Sequence, residues 1–150
     1  MITGMIATVC AGLFAGAAIY INLVEHPARI ECGIDLALRE FGLSYHRATI
    51  MQVPLAGIGF AAALTTWLTG RTLWWLWGGI LLVVVIPYSL IAILPTNKKL
   101  LDPSLKQNTQ LARKLLIRWG RLHAVRTLLS LAASYFLDTS SSALSRRQNI

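Results

Sequence analysis

The sequence predicts an all-α integral membrane protein, a four-helix bundle with an interfacial amphipathic helix between the first two spans. Three observations carry this expectation. Residues 1–24, 48–70 and 72–97 contain no charged side chain. At 1.5 Å per residue, each run is long enough to cross a hydrocarbon core of about 30 Å as a helix. The chain is 55% hydrophobic and only 13% charged over 150 residues, a balance found in membrane proteins rather than soluble domains of this size. Finally, residues 119–137 are apolar in their second half but carry His123 and Arg126 in their first, which suggests a fourth crossing with a polar strip.

The expected spans are 2–24, 48–69, 72–96 and 119–137, forming one domain over 1–137. The first run lacks a basic leader, and its apolar length exceeds that of a secretory signal core, so it reads as a retained span. Gly12 and Gly16 stand four apart on it among alanines, a small-residue pattern that lets another helix approach closely. Pro27 then kinks or ends the helix.

Between the first two spans, Ile30, Ile34, Leu38 and Phe41 recur at helical spacing beside Glu31, Asp35 and Arg39. This stripe predicts the interfacial helix, with Asp35 and Arg39 as an i, i+4 ion pair and Gly42 as its stop. The second span repeats the small-residue style with Ala56, Gly57, Gly59, Ala61, Ala62 and Ala63.

Arg71 sits in a turn so short that the second and third spans must be antiparallel neighbours. Trp67, Trp74, Trp75 and Trp77 gather there as an interfacial aromatic belt. Pro87 interrupts the third span and frees a backbone carbonyl, commonly beside a cavity. Asp102-Pro103 signals a helix start. Residues 138–150 are polar and Ser-rich and read as a tail without regular structure.

Net charge is +8, and its placement reports topology. Arg29, Arg39 and Arg47 follow the first span, and Lys98, Lys99, Lys106, Arg113, Lys114 and Arg118 follow the third, whereas the opposite side has only Arg71, Arg146 and Arg147. The positive-inside rule then places loops 25–47 and 98–118 in the cytoplasm and both termini outside. The basic residues suit anionic lipid, and no aromatic-basic interleaving of a nucleic-acid module accompanies them. Cys10 and Cys32 form no CxxC pair, which argues against quinone reduction by thiol exchange.

Alternating topology has a functional consequence. The end of span one, the start of span two, the end of span three and the start of span four share one side. They bring together Glu25, His26 and Arg29; Tyr45, His46 and Gln52; Thr96 and Asn97; and Trp119, His123 and Arg126. On the fourth helix Trp119, His123, Arg126 and Ser130 fall on one face. An arginine roughly 10 Å deeper than Trp119 should face the bundle interior and a partner, with Glu25 as the structural candidate. His26, His46 and His123 also suggest a weak metal alternative, although no HxxxH or HxxH pair supports it.

The segments GLFAGAAIYINLVEHPAR, SYHRATIMQVPLA, IPYSLIAILPTNKKLLD and RWGRLHAVRTLLSLAA resemble the anthrone-oxygenase-like small membrane proteins over residues 4–135. EHPAR, PTNKKLLD and LHAVRT are the most specific elements. The resemblance implies a cofactor-independent oxidoreductase, a monooxygenase acting with O2 on a lipophilic aromatic of the anthrone or quinol kind, without a metal. On that reading His123 is the base, Arg126 and Asn97 hold an oxyanion, and Glu25 positions His123 or Arg126. Tyr88, Gln52, Trp119 and Tyr45 bind substrate. The competing expectation is a non-catalytic scaffold or assembly subunit, homo-oligomeric or part of a larger membrane complex, whose polar layer only locks the helices together.

Overall fold

A computed structural model gives the backbone of residues 2–148 and the side chains of residues 2–142. Among the described residues all regular structure is helical. Helix α1 (Ile2–Tyr20) runs without a break into a π-helical segment, Ile21–Glu25, and then into α2 (His26–Glu31). Pro27 lies in the first turn of α2, directly after the π-helical turn, and has no N–H to give to the helix ladder. Gly33 reverses the chain with a φ of 97°, a conformation that penalises a Cβ.

Helix α3 (Ile34–Leu68) is a single 35-residue helix, which corrects the expectation of a separate interfacial helix. The apolar stripe exists, but Leu38 and Phe41 pack into the bundle with Leu100, Leu105 and Trp119 rather than lying on a lipid surface. Gly42 is no stop, because a Cβ there would come 3.3 Å from Leu101 Cδ2; the glycine serves close approach. Asp35 and Arg39 do pair, at 3.1 Å on the exposed face.

A turn through Gly70, with φ of 82°, leads to α4 (Leu73–Tyr88), a second π-helical segment (Ser89–Ile93) and α5 (Leu94–Leu100). Asp102 caps the short 3₁₀ helix Pro103–Gln107 by accepting from Ser104 N at 2.9 Å and Ser104 Oγ at 2.8 Å. These hydrogen bonds hold its carboxyl below the ordinary carboxylate range. Helix α6 (Thr109–Gln148) closes the fold. The tail expected over 138–150 is therefore helical as far as Gln148: Thr139 and Ser140 bond back to carbonyls one turn earlier, and no proline or glycine interrupts the run. Residues 149–150 lie outside the described part.

The rods Ile2–Glu31, Ile34–Leu68 and Leu73–Leu100 are each long and apolar enough to cross a membrane. Helix α6 is not in that class, since Arg121 and Arg126 dilute its apolar half. Around the bundle the order is α1, α3, α4, α6, each helix packing on two neighbours.

Small residues set the approach, though not those expected. At Gly12 and Gly16 nothing lies within 4 Å of a built Cβ, so they face outward. The inward face of α1 is Ala7, Ala11, Ala15 and Ala18. Close contact is made at Gly59, where a Cβ would lie 2.5 Å from Leu82, at Gly79 against Ala63, and at Gly78 against Leu137.

Among the belt tryptophans, Trp74 and Trp77 are exposed, but Trp75 is buried and turned toward Gly4. Two apolar cores result. One holds Phe14, Trp75, Leu82 and Leu137, the other Ile21, Phe41, Ile93 and Trp119. The polar layer lies between them.

Candidate functional site

Both π-helical segments end two residues before a proline, Pro27 and Pro95. An extra residue in a turn shifts the helix face and leaves backbone groups to be re-satisfied, and such bulges gather at functional sites. Here Ile21 and Glu25 of one, and Ser89, Leu90 and Ile93 of the other, line a shared cavity. Its empty space, open side included, is about 800 Å³. Its floor and walls also include Phe14, Tyr45, Gln52, Asn97, Trp119, His123 and Arg126.

Seven of the eight expected catalytic and substrate residues thus meet: His123, Arg126, Glu25, Asn97, Gln52, Trp119 and Tyr45. Tyr88 does not. Its hydroxyl donates to Leu122 O at 3.0 Å, so it ties α4 to α6 and does not line the cavity.

His123 is buried, with Nδ1 2.7 Å from Asn22 Oδ1. An amide oxygen only accepts, so this contact places the proton on Nδ1 and leaves Nε2 as a lone-pair base. Its ring stacks on Trp119 with centroids 4.8 Å apart. Asn22, and not Glu25, contacts the His123 ring. Asn22 shares a face with Glu25 on the first helix, and that spacing was the available signal.

Arg126 donates from Nη2 to Gln52 Oε1 and sits over the Phe14 ring, 5.0 Å from its centroid. Among the described residues no carboxylate pairs with it. The structural ion pair with Glu25 is not formed. Glu25 instead pairs with Arg29, which also meets Glu40 and donates to Ser44 Oγ at 2.8 Å. Arg29 is buried and lies over Phe41 and Trp119.

Arg29, Glu25 and Ser44 of this network line the polar end of the cavity. Glu40 and Ser44 can reach Arg29 because α3 is continuous through Gly42.

Several buried polar atoms of the cavity have no hydrogen-bond partner: Gln52 Nε2, Asn97 Oδ1, Trp119 Nε1 and Arg126 Nε. A buried donor or acceptor left unpaired costs free energy, so a set of them facing one space points to a polar ligand or water there. Arg29 Nη1, on the same cavity, is also unpaired, so the set is mostly donors, with Asn97 Oδ1 as its acceptor.

The histidines do not converge on a metal site. His26 is buried beside Trp119, its ring 4.9 Å away, and neither of its nitrogens has a partner. His46 is exposed on α3. Among the described residues no group of three or more His, Cys, Asp or Glu side chains is placed to hold a metal ion.

A family model described as anthrone oxygenase matches residues 41–136. The match begins at Phe41, takes in α4, α5 and both His123 and Arg126, and leaves out Asn22, Glu25 and Arg29. No curated protein and no solved structure matches the chain.

Proposed function

The chain belongs to the anthrone oxygenase family, and from that membership we propose that it is a membrane-embedded oxygenase using O2 to convert a methylene of a lipophilic aromatic to a carbonyl. In this reading α6 supplies a fourth crossing, its arginines kept from lipid by the cavity and by snorkelling to headgroups. Segments 25–47 and 98–118, with Arg29, face the cytoplasm, and the termini lie outside.

The observation that carries the proposal is the pairing in one cavity of a base and an uncompensated cation. His123 has a free Nε2, and Arg126 has no carboxylate partner among the described residues. A reaction that turns a neutral substrate into an anion suits that arrangement, because the charge appears beside a guanidinium already in place.

His123 Nε2 takes a proton from the methylene carbon, and the charge spreads to the oxygen of the substrate's conjugated carbonyl. Arg126 and the Asn97 amide hold that oxygen, while Gln52, Tyr45 and Trp119 set the ring plane. The anion passes one electron to O2, and the radical pair joins at the same carbon. The peroxide then takes the proton back from the imidazolium. His123 removes the second proton as the O–O bond breaks, a carbonyl forms, and hydroxide leaves with that proton as water.

The sum is CH2 plus O2 giving C=O plus H2O. Neither an outside reductant nor a net proton is needed, so one base acting twice suffices. Positioned proton transfer contributes about 10²–10⁴-fold. Turnover under ¹⁸O2 tests the reading: one labelled atom should enter the new carbonyl and one should appear in water. A carbonyl oxygen drawn from solvent would refute it.

A further inference from the structure

We infer that the cavity is entered sideways, from the hydrocarbon of the bilayer, through a slit between Val53 on α3 and Leu90 on the second π-helical segment, and that it admits an apolar molecule of the hydrocarbon phase. The inference rests on the membrane-spanning oxygenase reading for the location of the bilayer and the use of the cavity.

Of the residues lining the cavity, Val53 and Leu90 are the two that are exposed on the outside of the bundle, at 43% and 58%. They come from two adjacent helical rods. Their depths agree by independent routes along the chain. Val53 is 14 residues from Trp67, about 21 Å of helical rise, and Leu90 is 13 residues from Trp77, about 20 Å. Trp67 and Trp77 flank the same turn. Two rim residues about 20 Å from one interface lie inside a hydrocarbon core of about 30 Å.

The backbone explains the gap. Near the turn α3 and α4 are held together, Gly79 against Ala63 and Gly59 against Leu82. Beyond Leu82 comes Pro87, then the π-helical segment, then Pro95. Pro87 and Pro95 each remove a helix hydrogen bond, and the bulge turns the helix face, so the contact is not continued toward Asn97.

The other end carries an ion-pair network whose carboxylates are partly exposed, at 28% and 42%. Arg29, buried, spans to Glu25, Glu40 and Ser44 across it. A molecule arriving from water meets that network of charges, whereas one arriving from lipid meets the apolar side chains of Val53 and Leu90.

The test needs no knowledge of the substrate. The protein is reconstituted in phosphatidylcholine vesicles whose acyl chains carry a mid-chain diazirine, irradiated, and mapped by mass spectrometry. Adducts are expected on Ile93 and Val85, which line the cavity and are 2% and 1% exposed. Leu90→Trp and Val53→Trp should reduce these adducts at least tenfold, and Leu128→Trp, on the outer face, should leave them within twofold. Absence of cavity adducts in the wild-type chain, or adducts indifferent to the plugs, overturns the slit.

A second arm follows the association rate of 1,8-dihydroxyanthraquinone from donor vesicles, expected to fall at least tenfold in the plugged variants with affinity within threefold. An unchanged rate also overturns the slit as the ligand's entry. A chain whose cavity wall is labelled by lipid but which binds no hydroxyanthraquinone sinks the oxygenase reading and supports the slit.

Discussion

Replacing Arg126 with methionine should abolish most turnover while leaving the fold about as stable as before. The expectation comes from what the guanidinium does and does not touch. Its one side-chain hydrogen bond goes to Gln52 Oε1, so its removal leaves that buried oxygen unpaired, at a cost of about 1–3 kcal/mol. Against this, a half-buried charge with no carboxylate partner among the described residues disappears. Exchanging a buried ionic group for an apolar one of similar length is often neutral or stabilising by about 1–4 kcal/mol. The two terms offset, and unfolding free energy should move by less than about 1 kcal/mol.

Catalysis has no such compensation. Loss of one preorganised oxyanion donor lowers turnover by about 10²–10³-fold, equivalent to about 3–4 kcal/mol. Denaturant unfolding in mixed micelles and oxygen consumption with emodin anthrone, on the same preparation, separate the effects. If Arg126→Met unfolds more easily by over about 3 kcal/mol, the arginine is a structural lock of the kind the scaffold expectation requires, and the reasoning fails.

Other substitutions sort the cavity residues by role. Arg29→Met should do the opposite of Arg126→Met: Glu25 and Glu40 lose their partner, and stability should fall by about 3 kcal/mol, the low end for a broken pair because both carboxylates keep some water, as seen in the same unfolding assay. Asn22→Leu removes the acceptor that fixes the His123 tautomer, so turnover should drop about 10–100-fold, judged against the about 10²–10⁴ that a positioned base supplies, with substrate affinity little changed in a kcat and KM split. Tyr88→Phe should cost about 1 kcal/mol of stability through the lost bond to Leu122 O and leave kcat unaltered. Gly120→Ala would bring a Cβ within 2.7 Å of His26 Nε2, and overpacking of this kind should destabilise by about 1–3 kcal/mol, again read by denaturant midpoint.

Much of this site is visible in the residues before any coordinates, and the exceptions have physical causes. Charge-free runs locate three rods, because lipid tolerates no unpaired charge along them. Counting alternate ends then brings Gln52, Asn97, Trp119, His123 and Arg126 to one layer.

Glycine is where the sequence misleads. Gly12 and Gly16 look like a contact face and are not, while Gly42 looks like a helix end and is a point of close approach; a glycine allows either outcome, and only the neighbouring side chain decides. The pairing of Arg29 was hidden by the same residue, since a helix stopping at Gly42 would not carry Glu40 and Ser44 over the end of the first rod.

The π-helical bulges left no periodic trace, yet they turn Asn22, Glu25, Ser89 and Ile93 to their final places. Tyr88 does not line the cavity because its hydroxyl is taken by Leu122 O on α6, a partner 34 residues away that no local pattern announces.

The central claim is that His123 is the base of an oxygenation carried out in this cavity. Its most direct test is single-turnover oxygen uptake by His123→Ala protein that unfolds at the wild-type denaturant midpoint, with emodin anthrone as substrate. The account predicts a fall of at least about 100-fold, with hydroxyanthraquinone binding retained. Uptake at the wild-type rate from that folded variant would contradict it.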